Sequence, residues 1–240
     1  MSRLIGVGVG PGDPDLVTVK GVKALQQADH VFVPVADTGE IGRAEATVIA
    51  HIDPARVTRL AFALTDDVAR NSGAWDAAGA AVADAIRNGG TAAFATIGDP
   101  NIYSTFTYLA HTVRDLLPTV VIETIPGITA MQDLAARSGT VLVEGREHLI
   151  LLPFTAGEQA LHTALDDLDA TVVCYKGGRA IAEVLDLLRD VDRIDGAIYG
   201  AKLGLADERI GLAADHDSSP APYLSTLIVP PLRFGRGGKL

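Results

Sequence analysis

The sequence predicts an α/β protein of two α/β domains, the first with a mainly parallel sheet and the second with a mixed sheet. The first half of the chain alternates short, apolar, β-branched runs with helical patterns, which is typical of a parallel sheet covered on both faces. The second half continues this alternation but closes on two strand-like segments, 208–212 and 224–229, with no helix between them. These segments look like a strand pair, so the second sheet is predicted to be mixed.

Four predicted strands and four predicted helices make up the first half of the chain. The strands cover residues 4–9, 31–35, 57–60 and 91–96, and the helices cover residues 14–28, 43–51, 66–88 and 102–116. The long third helix is rich in alanine and ends at Gly89-Gly90, because glycine readily adopts the backbone conformation that follows a helix.

A domain boundary is predicted at Leu117-Pro118-Thr119, which gives domains of residues 1–118 and 119–240. Before its closing strand pair, the second domain alternates strands and helices again. These strands cover residues 120–125, 148–152, 171–175 and 196–199, and the helices cover residues 128–138, 158–168 and 180–189.

Composition argues against several classes of protein. The formal net charge of −10 disfavours binding of nucleic acid or of an anionic membrane. No apolar stretch approaches the roughly 20 residues that span a bilayer, and no signal-peptide pattern is seen, so we expect a cytoplasmic protein. Cys174, the single cysteine, lies in an apolar run and is expected to be a buried small hydrophobe. The six histidines are scattered, so no metal site is predicted.

The first candidate ligand-binding segment is the turn Gly6-Val7-Gly8-Val9-Gly10-Pro11-Gly12-Asp13-Pro14, between the first strand and the first helix. Glycine permits positive φ and lets a ligand approach the backbone closely. The spacing does not fit the dinucleotide fingerprint G-x-G-x-x-G, because Pro11 or Asp13 stands where the third glycine belongs. No Lys-Ser or Lys-Thr follows, which excludes a P-loop. A ligand site and a tight strand–helix connection both remain open.

Two further strand ends lead through glycine towards a helix. Gly98-Asp99-Pro100 follows the fourth strand, and Asp99 is suited either to accept hydrogen bonds from a ligand's amine or hydroxyl groups or to cap the next helix. Pro126-Gly127-Ile128-Thr129-Ala130 follows the fifth strand and opens a helix, whose first N–H groups have no partner inside the helix. Because open α/β sheets bind ligands outside the carboxyl ends of their strands, we expect the three turns to line one crevice.

Together these segments resemble the tetrapyrrole (corrin/porphyrin) methyltransferase family over nearly the whole chain. The resemblance also includes residues 15–18 and 24–29, Tyr175-Lys176-Gly177 at a strand end and Ser225-Thr226-Leu227 in the last strand. Val31-Phe32-Val33-Pro34 and Tyr103-Ser104-Thr105-Phe106 are similar to the branch of the family that methylates precorrin-2 at carbon 20.

The resemblance implies methyl transfer from S-adenosylmethionine, with S-adenosylhomocysteine as product, in a cleft between the two domains. A sulfonium donor is already activated and a reduced tetrapyrrole carbon is already nucleophilic, so alignment and a water-poor site matter more than a strong base. Two alternatives within the family stay open, a cobalt-bearing acceptor and another ring carbon. The alternative from another class is a nucleotide-binding module without catalysis.

Site residues follow from the resemblance. Pro11 is expected to shape the wall between donor and acceptor, and Tyr103, Asp13 or water to remove the proton after methylation. The residues expected to contact the donor are Gly98, Asp99, Ile102, Thr129 and Ala130, with Tyr175, Lys176, Ala201, Thr226 and Leu227 on its adenine side.

The acceptor of this family carries many carboxylates, which need basic partners in an acidic protein. Arg43, Lys176, Arg179 and Lys202 lie near predicted strand ends or the loops after them. We expect some of them to bind carboxylates by charge-assisted hydrogen bonds, the alternative for each being a solvated surface charge. The resemblance also implies a homodimer.

Overall fold

In the computed structural model, which describes residues 1–36, 39, 41–62, 68–176, 180–222 and 224–233, the chain divides into two units, Met1–Thr129 and Ala130–Leu240. The first unit contains a parallel sheet with the strand order β3-β2-β4-β1-β5. Its strands are β1 (Ser2–Gly8), β2 (His30–Val35), β3 (Val57–Ala61), β4 (Gly90–Thr96) and β5 (Val121–Ile125). Its helices are α1 (Val19–Gln27), α2 (Arg43–Val48), α3 (Val68–Ile86) and α4 (Phe106–Leu116).

Helices cover both faces of this sheet, because alternate residues of each central strand point to opposite sides. Ile5 and Val7 of β1 belong to the core under α1 and α2. Leu4, the intervening β1 residue, packs with Phe94 in the core under α3 and α4. The prediction of a parallel amino-terminal sheet covered on both faces is confirmed.

The second unit contains a mixed sheet with the strand order β6-β7-β10-β8-β9, as predicted. Only β6 and β7 are parallel neighbours among these pairs, and the other pairs are antiparallel. Its strands are β6 (His148–Pro153), β7 (Ala170–Tyr175), β8 (Ile198–Ala201), β9 (Arg209–Leu212) and β10 (Ser225–Val229). Its helices are α5 (Ala130–Ser138), α6 (Glu158–Leu165) and α7 (Ile181–Asp190).

The two faces of the second sheet carry separate cores. Helix α5 packs through Met131 and Leu134 on one face, where Val173 and Ile228 point. Helices α6 and α7 cover the other face. Gly200 in β8 brings α5 close to the sheet, because a β-carbon at this position would lie 2.7 Å from Leu134 Cδ1.

A buried arginine joins three elements of the second unit. Arg193 is only 3% exposed and donates to the carbonyls of Leu165 at 3.0 Å and Pro230 at 2.9 Å, with the Ala170 carbonyl 3.4 Å away. Burial lowers the pKa of the Arg193 guanidinium from its usual value. One side chain therefore ties together the end of α6, the start of β7 and the end of β10.

The domain boundary differs from the predicted 118/119 division, since the first unit extends to Thr129. The reason is strand pairing. Residues Val121–Ile125, assigned from the sequence to the second domain, form β5 and pair with β1 along five residues from Arg3↔Val121 to Val7↔Ile125. A Leu-Pro turn at 117–118 therefore lies inside the first unit.

Three element predictions need correction. The helix predicted over 14–28 is a 3₁₀ turn followed by α1, because the Thr18 side chain accepts from the Gly21 N–H and starts a new helix there. The helix predicted from residue 102 begins at Phe106, because Tyr103 has a left-handed φ of 49°. The last two strands do not pair with each other: both pair with β8, with the fully buried β10 inserted between β7 and β8.

Candidate functional site

Two of the three glycine-bearing turns are joined by backbone atoms. The N–H of Gly98 donates to the carbonyl of Gly10 at 2.8 Å, and the two residues form an isolated antiparallel bridge. Both have positive φ, 79° at Gly10 and 69° at Gly98, which an L side chain rarely adopts. The loops after β1 and β4 are therefore held against each other at the carboxyl ends of their strands.

The third turn packs on the first two through glycine. A β-carbon on Gly8 would lie 2.5 Å from both the Gly127 nitrogen and the Gly98 oxygen. A β-carbon on Gly127 would lie 2.1 Å from the same Gly98 oxygen. The three strand ends thus meet backbone to backbone, as expected for turns that line one crevice. Gly98 itself has open space around its β-carbon position, so its α-carbon is accessible on that side.

Asp99 links two of these turns with its side chain. Its Oδ1 accepts from the Asn101 N–H at 2.8 Å and its Oδ2 accepts from the Gly127 N–H at 3.0 Å. The residue is 8% exposed. Asp99 does not cap α4, which begins at Phe106, and that alternative from the sequence is wrong.

The turn after β1 continues through Pro11, which is buried, to Asp13, which is half-buried. Asp13 Oδ1 accepts from the Asp15 N–H at 2.9 Å and so caps the 3₁₀ turn Pro14–Leu16. The hydroxyl of Thr47 in α2 lies 3.3 Å from the Gly12 carbonyl, which fixes this turn from outside.

Tyr103 stands out in the loop after β4, because a bulky residue with φ of 49° is an outlier. Its side chain is 45% exposed, and the neighbouring Ile102 is half-buried. Ser104 anchors the loop, since its hydroxyl contacts the Thr96 hydroxyl at 3.0 Å and accepts from the Phe106 N–H at 3.1 Å.

Asn101 adds a second anchor, with its Nδ2 donating to Thr124 Oγ1 at 3.2 Å. Sequence reasoning missed Thr96, Asn101 and Thr124 as supports of this loop. Only Thr96 carried a usable signal, as a polar residue that directly follows the apolar run Ala92-Ala93-Phe94-Ala95.

The second unit places two of the expected donor residues side by side. Tyr175 ends β7, and Thr226 lies directly opposite it in β10. The Tyr175 hydroxyl accepts from the Met131 N–H at 3.2 Å, at the start of α5. Ala130 is the first residue of α5, and Thr129, at 5% exposure, precedes it. Tyr175 therefore supports the helix that follows the Gly127 turn.

Ala201 and Leu227 lie elsewhere in the same sheet. Their exposures are 1% and 0%, and both side chains belong to the core under α6 and α7, on the face opposite α5. Leu227 pairs with Cys174, and the next pair along the two strands is Thr226 with Tyr175. Because successive strand residues point to opposite faces, Tyr175 and Thr226 point to the face that α5 covers. The side chains of Ala201 and Leu227 are therefore packed in the hydrophobic core.

The four basic residues expected to bind acceptor carboxylates have different surroundings. Arg43 is the first residue of α2 and is half-buried. Lys176 and Lys202 directly follow β7 and β8 with left-handed φ of 62° and 53°. The Lys202 ammonium forms an ion pair with Asp207. Arg179 lies outside the described residues.

Cys174 is buried at 2% exposure, as predicted, and burial raises the pKa of its thiol to about 12. The adjoining cavity measures about 60 Å³ and lies between the ends of β6 and β7 and helices α6 and α7. Small-molecule sites usually measure about 300–1,000 Å³, so this cavity is too small for a nucleoside or tetrapyrrole.

The described part of the chain also bears on other kinds of site. Among those residues, no group of three or more His, Cys, Asp or Glu side chains is arranged to hold a metal ion. No helix there is both long enough and apolar enough to cross a membrane.

Comparison with known proteins identifies the family. Residues 3–214 match the family model of Tetrapyrrole (Corrin/Porphyrin) Methylases. The chain is 35% identical over 239 residues to a precorrin-2 C(20)-methyltransferase from Sinorhizobium sp, with 96% of each chain covered. It is 32% identical over 173 residues to a probable cobalt-precorrin-2 C(20)-methyltransferase from Methanocaldococcus jannaschii, with 72% of each chain covered.

A solved structure agrees in fold. A putative cobalamin synthesis related protein from Corynebacterium diphtheriae superposes with a TM-score of 0.73 at 19% identity, covering 97% of this chain and 100% of that chain. The joined glycine turns, the parallel and mixed sheets and the family match over most of the sequence lead to the same conclusion. The chain belongs to the tetrapyrrole (corrin/porphyrin) methylase family.

Proposed function

We propose that the chain transfers a methyl group from S-adenosylmethionine to carbon 20 of precorrin-2, giving precorrin-3A in cobalamin biosynthesis. The observation that carries this proposal is the meeting of three glycine-bearing strand ends, at Gly8–Gly10, Gly98 and Gly127, in a protein of this family. Identity of 35% to a relative named for this reaction supports the choice of acceptor and carbon.

The residues of the first unit fit a nucleoside-type donor. Gly98 has open space where a side chain would be, so a ligand can approach its backbone closely. We propose Gly98, Asp99, Ile102 and Thr129 as donor contacts there, with Pro11 as the wall towards the acceptor. When bound, the donor supplies a methyl group already activated by its positively charged sulfur.

The second unit contributes its own proposed contacts. Ala130 opens α5, and Tyr175, Lys176 and Thr226 stand together at the ends of β7 and β10. Ala201 and Leu227 are proposed to contribute only backbone atoms, because their side chains are buried in the core under α6 and α7.

Methyl transfer of this kind asks the protein mainly for alignment. Correct orientation of two reactants can supply about 7–11 kcal/mol of the barrier, so no strong base is needed for the transfer itself. Tyr103 is 45% exposed on an anchored loop and is the better placed of the two side-chain candidates for removing the proton. Asp13 already uses one carboxylate oxygen as a cap.

Arg43 and Lys176 are proposed to bind carboxylates of the acceptor. Lys202 and Asp207 form an ion pair in the free protein. Lys202 is therefore proposed to bind an acceptor carboxylate only after its ion pair with Asp207 breaks. Arg179 remains a proposal from the sequence. Substitution of each by alanine should raise the acceptor KM if the residue takes part, and an unchanged KM would clear it.

A second candidate function is methylation of the cobalt-bearing acceptor. Two relatives, 32% and 28% identical, are named for cobalt-precorrin-2, which is the specific observation in its favour. Methylation of another ring carbon is the remaining alternative inside the family, and a non-catalytic nucleotide-binding module is the alternative outside it. A cytoplasmic homodimer is proposed from the family resemblance and is tested by light scattering and fractionation.

Labelled donor tests the proposed function directly. Purified protein is incubated with methyl-labelled S-adenosylmethionine and precorrin-2, cobalt-precorrin-2 or uroporphyrinogen III, and the mass of each product is measured. We expect one methyl group on precorrin-2 and donor binding without any response to NAD or ATP. Transfer to the cobalt form alone would favour the second candidate, and binding without transfer would favour the non-catalytic module.

A further inference from the structure

We infer that Glu208 is a positioning residue: held by Arg137, its carboxylate fixes the loop after β8 and thereby places the Lys202 ammonium for the acceptor. This loop comprises residues 202–208, between β8 and β9. The role of Lys202 towards the acceptor rests on the proposed function, whereas the fixing of the loop belongs to the protein without ligand. The two can therefore fail separately.

Glu208 connects its own loop to helix α5. Both oxygens of its carboxylate accept from the guanidinium of Arg137, in the last turn of α5, and Oε2 also accepts from the Gly204 N–H at 2.7 Å. A two-pronged bond between arginine and carboxylate fixes direction as well as distance. Asp133, buried in α5, adds a second negative charge, with its Oδ2 3.7 Å from Arg137 Nη1. The loop is therefore held against α5.

The loop has little freedom between its fixed points. Gly204 has a left-handed φ of 74°, and the preceding Leu203 is 5% exposed and belongs to the same core as Leu134 of α5. Lys202 also has a left-handed φ, and its N–H donates to the Leu224 carbonyl at 3.1 Å, just before β10. The backbone that carries the Lys202 side chain is therefore fixed at β10 on one side and by the bond at Gly204 on the other.

The Lys202 ammonium is accessible to a carboxylate from outside the protein. It forms an ion pair with Asp207, and the side chains of the two residues are 31% and 61% exposed. Exposed ion pairs stabilise a protein little, because water screens them. An acceptor carboxylate can therefore take the place of Asp207, provided that the loop keeps Lys202 where it is.

Hydrogen exchange tests the fixing of the loop without any ligand. Glu208→Met removes both acceptor oxygens, whereas Glu208→Gln keeps one that can accept from Gly204. The Gly204 amide should exchange slowly in the wild-type protein, at least about tenfold faster in Glu208→Met and at an intermediate rate in Glu208→Gln. Glu123→Met is the matched control, because both Glu123 oxygens accept from one arginine, Arg3, in the first unit.

The control should leave the Gly204 amide as in the wild type. A fast-exchanging Gly204 amide in the wild-type protein would overturn the inference, even if the variants do not fold.

A double-mutant cycle tests whether the loop acts through Lys202. With precorrin-2 as acceptor, Glu208→Met and Lys202→Ala should each raise KM about fivefold or more and change kcat less than about twofold, while Glu123→Met changes neither. The double variant should have the KM of Lys202→Ala alone, because its loop has no ammonium left to place.

A purely structural role of Glu208 predicts instead that the two effects multiply or that kcat falls. Either result, or an unchanged KM in either single variant, would overturn the link to the acceptor. Absence of methyl transfer by the wild-type protein would count against the proposed function, whereas the exchange of the Gly204 amide would still decide whether Glu208 fixes the loop.

Discussion

The hydroxyl of Tyr175 accepts a hydrogen bond from the backbone N–H of Met131 at 3.2 Å. Met131 is the second residue of α5, and N–H groups in the first turn of a helix have no carbonyl partner within it. The side chain of Tyr175, at the end of β7, therefore caps the first turn of α5. Ala130, a proposed donor contact, is the first residue of α5, so this bond supports its position.

Tyr175→Phe removes that acceptor while keeping the ring. We expect unfolding free energy to fall by about 1 kcal/mol, because the Met131 N–H loses its partner. The affinity for S-adenosylhomocysteine should fall by about threefold or more, measured by calorimetry. Tyr108→Phe is the control, since Tyr108 is 47% exposed on α4 and stacks on Trp75. Donor affinity unchanged in Tyr175→Phe would show that the first turn of α5 needs no such support.

Gly8→Ala tests the close packing of the turns. The new β-carbon would lie 2.5 Å from the Gly127 nitrogen and from the Gly98 oxygen, so backbone must move. We expect a loss of about 2 kcal/mol or more of unfolding free energy, together with weaker donor binding. Chemical denaturation and calorimetry measure the two quantities.

Gly73→Ala provides the contrast for Gly8→Ala. Gly73 lies within α3, is exposed and has nothing within 4 Å of its β-carbon position. Alanine should stabilise the protein there by about 0.5 kcal/mol, because it restricts the unfolded chain without a clash. Equal stability of the Gly8 and Gly73 variants would contradict the backbone contact between the turns after β1 and β5.

Arg193→Met leaves three backbone carbonyls without their donor. We expect unfolding free energy to fall by about 3 kcal/mol, since the partners are buried and bonded to a charged group. Arg189→Met should cost less than about 0.5 kcal/mol, because its ion pair with Asp186 is exposed. Urea denaturation distinguishes the two variants, and similar midpoints would mean that Arg193 does not hold α6, β7 and β10 together.

His148 gives stability a specific pH dependence. A hydrogen bond to Asp167 and the charge of that carboxylate raise the pKa of His148 above its usual 6.5. The protonated pair therefore stabilises the fold fully below pH 6.5 and loses its effect as the pH rises through the raised folded-state value. His148→Gln should lower the melting temperature at about pH 5.5, and this difference should disappear as the pH rises through the raised folded-state pKa of His148. A difference that grows with pH would contradict this assignment.

The sequence predicted most elements because periodicity and turn residues depend on local chain alone. The strands of both sheets and helices α5, α6 and α7 lie within three residues of their predicted bounds at each end. Two helix starts were missed for local reasons, the cap at Thr18 and the left-handed φ of Tyr103, whereas the errors in topology came from non-local pairing. No sequence pattern within residues 208–229 indicates that β10 lies between β7 and β8 in the sheet. Likewise, the membership of β5 in the first unit depends on its pairing with β1.

The candidate site was likewise predicted only in part. The crevice of three glycine turns follows from their places at strand ends, and the structure brings these turns together. The engagement of Asp99 depends on Gly127, which lies 28 residues further along the chain, so spacing could not indicate it. The faces taken by Tyr175 and Leu227 depend on the antiparallel register of β7 and β10, which has no local signature.

The position of the transferred methyl group tests the central claim most directly. Precorrin-2 and S-adenosylmethionine carrying a carbon-13 methyl group are incubated with the purified protein, and the product is examined by carbon-13 NMR. The proposed function predicts a single new labelled methyl signal, coupled to the meso carbon at position 20. A labelled methyl group at any other ring carbon, or no labelled product from precorrin-2 or its cobalt form, would contradict it.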